Sequence, residues 1–168
     1  MTTLEALIAA RDKLDSVTPL KTDCGALCGA ACCKDSPDED EVAGMLLFPQ
    51  EERLYAHQGT WMELLPSALL FGGSPVPLLT CRVPCPRRHR PLSCRIFPLV
   101  PYVKAGRLTV RMDVRARPLC PLFDSGLKGL DADFVAAVKD ALRILWADET
   151  HREFLLTLTE HLKEYEWL

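Results

Sequence analysis

The sequence predicts an α+β domain that is mostly helical, with a small antiparallel β-hairpin or sheet and a cysteine-rich loop region. Three observations carry this prediction. The last third of the chain has two amphipathic helical patterns, its middle has one alternating segment, and the 168 residues include eight cysteines. Apolar residues make up 48% of the chain, so residues 1–168 can bury a core as a single domain without cross-links.

The first 80 residues predict short elements. A helix is expected over residues 3–17, with Thr2 or Thr3 as its N-cap. Residues at helical spacing along it are Leu4, Leu7, Ile8, Arg11 and Leu14. Later expectations are an acidic exposed loop over residues 35–41, a strand over 43–48, a helix over 49–57 that starts at Pro49, and a turn-rich connector over 72–77.

The second half of the chain gives clearer patterns. Leu108, Val110, Met112 and Val114 alternate with polar residues, which predicts a hairpin within residues 98–116 that turns at Ala105 and Gly106. Residues 131–168 predict a C-terminal helical pair. We expect Asp131 or Asp133 to cap the first of these helices and Asp148 to cap the second.

Cysteine content is the strongest functional signal. The positions are Cys24, Cys28, Cys32, Cys33, Cys81, Cys85, Cys94 and Cys120. Four of them fall within ten positions, which is not how ordinary buried cysteines are distributed. Thiolates are soft ligands for zinc and iron–sulfur clusters, and four thiolates complete either kind of site. We therefore treat all eight as candidate metal ligands, within a cysteine-cluster core over residues 23–121.

The expected compartment is the cytoplasm. The first residues have no basic start, long apolar run or small-residue cleavage site, and no segment has the apolar length of a membrane span. Thiols in a reducing compartment do not form structural disulfides, and this favours metal ligation.

The cysteine spacing does not identify the metal. The chain has no C-x2-C pair, and its x3 spacings match neither ferredoxin pattern. On ligand type we favour an iron–sulfur cluster, of the 4Fe–4S kind, with zinc as the alternative. Among the histidines, His89 alone lies between cysteines, and we expect it at the surface because thiols are abundant.

The cysteine pattern resembles a bacterial cysteine-cluster family described as zinc- or iron-chelating domains, of the CxxCxxCC type. The resemblance rests on the group that ends in Cys32 and Cys33 and on residues 90–98 (RPLSCRIFP), with a late cysteine at Cys120. It implies metal binding across roughly residues 23–121. Flagellin lysine methylases have a similar cysteine cluster, but this chain is too short to be such an enzyme, and the methylation chemistry is not carried over.

Two departures from the family pattern accompany the resemblance. The first cysteine group is one residue longer than the frequent C-x3-C-x2-C-C arrangement. Residues 86–89 read PRRH, where the family often has an Ile-Tyr-Glu run.

Positive charge is concentrated around the later cysteines. Residues 81–117 contain ten basic residues and one acid, so this segment is +9 and the rest of the chain −12. Arg90 and Arg95 flank Cys94 and are predicted to lie beside the ligands, where cations favour thiolates. Alternatives are a solvated face for Arg107, Arg111 and Arg115, an anion site, or nucleic-acid binding, which the lack of interleaved aromatics disfavours.

Three functions remain open from the sequence. The first is a metal-binding protein with a structural or electron-handling role. The second is a metal- or cluster-dependent enzyme that modifies a protein or a small anionic substrate. The third is metal delivery.

Overall fold

The computed structural model describes residues 1–34, 43–57, 59–82, 85 and 87–167. Within these residues it confirms the α+β class, with 45% helix and 21% strand. The helices are α1 (Thr3–Asp12), α2 (Gly25–Cys28), α3 (Leu92–Ile96), α4 (Ala132–Ala147) and α5 (Glu149–Lys163). The strands are β1 (Met45–Leu46), β2 (Met62–Phe71), β3 (Ser74–Cys81), β4 (Leu99–Lys104) and β5 (Arg107–Met112). One antiparallel sheet has the order β1-β3-β2, and the other is the pair β4-β5.

Helix α1 begins with the predicted cap. The Thr2 hydroxyl accepts a hydrogen bond from the Glu5 N–H, and the Glu5 carboxylate accepts one from the Thr2 N–H, which together form a capping box. The helix ends at Asp12, five residues before the predicted end. The chain there tightens into turns in which the Leu14 N–H donates to the Arg11 carbonyl at 2.9 Å.

The central hairpin and the terminal helices agree with their predictions. Strands β4 and β5 pair from Leu99 opposite Met112 to Lys104 opposite Arg107, and Ala105 and Gly106 form the turn with positive φ. Asp131 caps α4 and Asp148 caps α5.

Two predictions for the first half of the chain were wrong. The expected helix over residues 49–57 is a single 3₁₀ turn, Glu51–Leu54, because the Glu51 side chain turns into the interior. The expected connector over residues 72–77 is instead the tip of a long hairpin. Gly72 and Gly73 make the turn between β2 and β3, and β3 starts at Ser74. The acidic loop predicted over residues 35–41 lies outside the described residues.

A single large core joins the two ends of the chain. Helices α4 and α5 supply most of its fully buried side chains, and α1 packs on α4 while α5 packs on β4. The Thr159 hydroxyl accepts a hydrogen bond from the Val103 N–H at 3.0 Å, which joins α5 to the β4–β5 sheet. Helix α3 contributes Leu92 and Ile96 to the same core. These contacts fix the position of Cys94, which lies between them on the helix.

Across the part of the chain that the structure covers, no helix has both the length and the apolar character that crossing a membrane requires.

Candidate metal centre

Five of the eight cysteines line one cavity of about 50 Å³. Its other walls come from Arg90 and Lys34, from the backbone at Gly44, and from the apolar side chains of Met45 and Phe97. Cysteine sulfurs and positively charged side chains therefore meet in one small space beside the β1–β3–β2 sheet. The cysteines that line it are Cys32, Cys33, Cys81, Cys85 and Cys94.

Cys32 and Cys33 reach the cavity from a short turn. Residues 23–34 fold into α2 and a 3₁₀ turn, Ala31–Cys33, with Gly29 and Ala30 in left-handed conformations between them. Two successive left-handed residues reverse the chain, so the adjacent cysteines emerge together at the cavity mouth. Both are exposed.

Cys81 reaches the cavity at the end of β3, where it pairs with Met62. The cavity wall beside β3 depends on a close approach by Gly44. A Cβ placed on Gly44 would lie 2.8 Å from both the Leu78 Cγ and the Leu79 carbonyl oxygen. Only glycine allows the chain to pass so near β3 on its way into β1.

Cys94 lies on α3, and a buried carboxylate holds the first turn of that helix. Glu51 is fully buried, and its Oε1 accepts the Leu92 N–H at 2.7 Å. Its Oε2 accepts the Phe48 N–H at 3.0 Å. The Arg11 guanidinium pairs with the same carboxylate and donates to the Tyr55 hydroxyl at 3.2 Å. Burial raises the pKa of Glu51, while Arg11 and the two N–H groups oppose that shift.

Arg95 holds the loop that precedes α3. Its Nε donates to the Arg90 carbonyl at 2.9 Å, and its second amino group donates to the Arg88 carbonyl at 2.8 Å. Its remaining amino group pairs with Asp15 and contacts the Arg11 carbonyl. The structure thus places the Arg95 guanidinium on backbone carbonyls and one carboxylate, where it fixes the position of Arg90.

The cavity sulfurs form two hydrogen-bonded pairs. The Cys32 thiol donates to the Cys33 sulfur, and this bond lowers the pKa of Cys33 to about 6. The Cys81 thiol donates to the Cys85 sulfur in the same way and lowers the pKa of Cys85 to about 6. The pKa values of the two donors, Cys32 and Cys81, shift in the opposite direction and are raised. Within each pair the hydrogen bond therefore favours the thiolate form of one cysteine, Cys33 or Cys85.

Arg90 is the cation that these thiolates share. Its charge lowers the pKa of both Cys33 and Cys85, and its guanidinium also hydrogen-bonds the Cys85 sulfur. The Arg90 Nε is buried and has no hydrogen-bond partner among the residues that the structure describes. Burial raises the pKa of Cys94, as do the nearby charges of Cys85 and Cys33. The structure places Arg90 in the wall of the cavity that the five cysteines line.

The other three cysteines are not among the residues that line the cavity. Cys24 and Cys120 pack against the main core, and the Cys28 sulfur lies 3.9 Å from the Cys24 carbonyl oxygen. Burial raises the pKa of Cys24, as do the neighbouring charges of Asp23, Cys28 and Cys120. The eight predicted ligands thus separate into a group of five around the cavity and a group of three outside it.

Among the described residues, no three cysteine, histidine or carboxylate side chains already stand at the mutual spacing of a metal site. A metal held by four of the cavity sulfurs would therefore require these sulfurs to move closer together. Such closure is ordinary for thiolate sites, where binding the metal supplies part of the folding free energy.

Most of the remaining basic residues in residues 81–117 have partners of their own. Arg111 stacks 3.5 Å above the Tyr102 ring centroid and pairs with Glu166, and Arg115 forms a bidentate pair with Asp113. Arg107 is exposed at the turn of the β4–β5 hairpin. His89 does not line the cavity; its Nε2 accepts from the Arg88 Nε at 3.0 Å.

Sequence reasoning missed Glu51, Tyr55 and the role of Arg11. Arg11 did carry a signal, since it stands in the apolar row of α1 with Leu7 and Leu14. A charged residue in such a row indicates a buried ion pair. Nothing in the sequence marked Glu51 as its partner, because forty residues separate the two.

Comparison of the chain with protein-family models, with curated proteins and with solved structures gives no significant match. The resemblance of residues 23–121 to the cysteine-cluster family therefore remains a prediction.

Proposed function

We propose that this chain is a metal-binding protein whose cysteine thiolates hold an iron–sulfur cluster, or alternatively zinc, in the five-cysteine cavity. The observation that carries the proposal is the convergence of Cys32, Cys33, Cys81, Cys85 and Cys94 from three separate parts of the chain. A fold that needed only apolar filling there would not use five thiols and a half-buried arginine.

The donor set fits the proposed group. Five sulfurs exceed the four that a zinc ion or a 4Fe–4S cluster takes from a protein. Two of them, Cys33 and Cys85, have pKa values lowered to about 6, and thiolates are the form that binds metal. Arg90 balances the negative charge that several thiolates would bring together. When bound, a cluster would supply electron transfer, whereas zinc would supply rigidity or Lewis acidity.

The family resemblance supports the same assignment, because its best-matching segment, residues 90–98, contains both Arg90 and Cys94. The proposed compartment is the cytoplasm, where thiols stay reduced. The assignment differs from the eight-ligand expectation, since it places Cys24, Cys28 and Cys120 outside the metal site.

Serine substitution tests the assignment to the cavity. Cys33→Ser, Cys85→Ser and Cys94→Ser are each expected to reduce bound metal strongly when the full chain is purified without oxygen. Cys120→Ser is the matched variant outside the cavity, and we expect it to keep the metal. Loss of metal in Cys120→Ser, with metal retained in Cys94→Ser, would overturn the cavity assignment.

One observation favours a metal-dependent enzyme as the second candidate. The cavity opens at the exposed Cys32 and Cys33, and Lys34 and Arg90 both line it, so a small anionic substrate could approach the metal. Binding of inorganic phosphate to the metal-loaded chain, lost in Arg90→Gln, would favour this candidate. Unchanged phosphate binding in Arg90→Gln, or none in either chain, would favour the structural or electron-handling role.

A further inference from the structure

Helix α4 carries a second face besides the one that packs into the core. The core face consists of fully buried side chains, which are Phe134, Val138, Ala141, Leu142 and Leu145. The second face is partly or largely exposed, and its residues follow one another at spacings of three and four, so they form one row along the helix. The residues of this row are Ala132, Val135, Ala136, Lys139, Asp140 and Arg143.

A 3₁₀ turn, Leu127–Gly129, makes this second face into one wall of a groove. The groove has a volume of about 440 Å³, and Leu127, Lys128 and Leu130 line its other side. Leu130 is buried, whereas Leu127 is 37% exposed. The groove therefore leaves apolar surface in contact with water, and covering that surface with another apolar surface is favourable.

The groove is also basic. Lys128, Lys139 and Arg143 carry three positive charges against the single negative charge of Asp140, so its lining is +2. Asp140 pairs with Arg143. Neither Lys128 nor Lys139 has a carboxylate partner among the residues that the structure describes. Two ammonium groups beside an apolar surface complement a partner that offers carboxylates next to apolar side chains.

The course of the groove along α4 favours a helical partner. Ala132 and Ala136 lie about one turn apart, and their small side chains allow another helix to approach closely. The axis of α4 rises about 10 Å from Ala132 to Lys139 and about 16 Å from Ala132 to Arg143. The apolar and the basic parts of the row thus occupy successive turns, and a helix of about 14 residues is long enough to contact both.

We propose that this groove binds an acidic amphipathic helix of a partner protein. Apolar side chains of the partner cover Leu127, Val135 and Ala136, and its carboxylates pair with Lys128 and Lys139. The groove and the five-cysteine cavity have no lining residue in common. Partner binding and metal binding can therefore be tested separately, and either proposal can fail without the other.

The probe is a fluorescein-labelled, helix-forming peptide of about 14 residues, with leucines along one face and glutamates on both flanks. Its fluorescence anisotropy is titrated with the full chain. We expect binding that weakens as salt is raised, and that weakens by about tenfold or more in the double variant Lys128→Glu, Lys139→Glu. Lys104→Glu is the matched control, because it reverses an exposed lysine at the end of β4, and it should bind the peptide like the natural chain.

Two further measurements test the apolar contact. Ala136→Gln places a longer uncharged side chain at an exposed position of the groove, and it should weaken binding by about tenfold through steric conflict with the partner. A peptide with serine in place of leucine should likewise lose binding to the natural chain. Circular dichroism of every variant verifies that it is folded.

Several results would overturn the proposal. One is the absence of any anisotropy change with the natural chain, and another is an equal loss of binding in Lys104→Glu and in the double variant. A natural chain that is dimeric in analytical ultracentrifugation, with a monomeric double variant, would assign the groove to a second copy. Binding of phosphatidylglycerol vesicles instead of the peptide, lost in the double variant, would assign it to a lipid surface.

Discussion

The Glu51 carboxylate accepts the backbone N–H of Leu92 at 2.7 Å, so a fully buried acid fixes the first turn of the helix that carries Cys94. The same carboxylate pairs with Arg11 of α1, and Arg11 also contacts Tyr55. The Tyr55 hydroxyl in turn donates to the His89 carbonyl at 2.9 Å. One buried network therefore positions both Cys94 and the loop that presents Arg90.

Glu51→Ala should destabilise the fold by about 3–5 kcal/mol, because it leaves the Arg11 guanidinium buried without its counterion. Chemical unfolding of the metal-free chain measures this loss. Asp140→Ala is the matched control: it breaks the exposed pair with Arg143 and should change stability very little. Equal effects of the two substitutions would show that the Glu51 network does not support the fold.

Arg90→Gln should raise the pKa of Cys33 and Cys85 from about 6 toward the ordinary thiol value of 9.0. Fewer thiolates would then be present at pH 7, and zinc affinity there should fall by about 10–100-fold, less at higher pH. The pH dependence of alkylation at each cysteine and a zinc competition titration measure the two effects. Arg90→Lys keeps a positive charge, so its cysteine pKa values and zinc affinity should lie between those of the natural chain and of Arg90→Gln. An alkylation profile of Cys85 that does not move in Arg90→Gln would contradict the role assigned to Arg90.

Gly44→Ala should weaken the cavity wall, because the new methyl group would lie 2.8 Å from the Leu79 carbonyl oxygen and must push β1 from β3. We expect a cost of about 1–3 kcal/mol and reduced metal retention. Gly25→Ala is the comparison, since the nearest atom to its new Cβ is the Asp23 carboxylate oxygen at 3.3 Å, at the end of a side chain that can move. Unfolding midpoints and metal content of the two variants test the difference.

His151 should make the fold sensitive to acid. Its ring is fully buried, with Nδ1 3.1 Å from the Asp148 carboxylate, and burial lowers its pKa below the usual 6.5. The unfolded chain therefore takes up this proton first as pH falls, so the contribution to stability is complete above about pH 6.5 and is lost below it. The lowered pKa values of Cys33 and Cys85 also make the fold less stable as pH falls, and their effect begins at a higher pH than that of His151.

Replacing His151 isolates its contribution to the pH dependence of stability. The pH dependence of unfolding between about pH 5 and pH 7 should be shallower in His151→Gln than in the natural chain. Identical slopes in the two chains would show that His151 does not stay neutral in the folded state.

The elements that the sequence predicted well are those whose signal is local. The β4–β5 hairpin shows period-two alternation around Ala105–Gly106, and Asp131 and Asp148 supply caps at the exact starts of α4 and α5. Strands β2 and β3 were missed because Pro66, Pro75 and Pro77 indicate turns. The structure accommodates them: Pro66 is in the edge strand β2, beside an irregularity, and β1 pairs with β3 only at Leu78 and Leu79.

The chemistry of the site could be predicted from the sequence, but the spatial arrangement of its residues could not. The number and crowding of cysteines predicted thiolate chemistry, and residues 90–98 pointed to Arg90 and Cys94. The division into five cavity cysteines and three others depends on long-range contacts, such as Gly44 against β3, that no local pattern encodes. Arg95 shows the same limit. It is adjacent to Cys94 in the sequence, but its guanidinium binds the Arg88 and Arg90 carbonyls.

Metal and acid-labile sulfide per chain, measured on the protein expressed with iron and purified without oxygen, show whether the five-cysteine cavity is a metal centre. We expect bound metal: iron with sulfide and a brown colour for a cluster, or about one zinc per chain with no colour. A chain that contains neither metal, and whose eight thiols all titrate freely in the folded state, would contradict it.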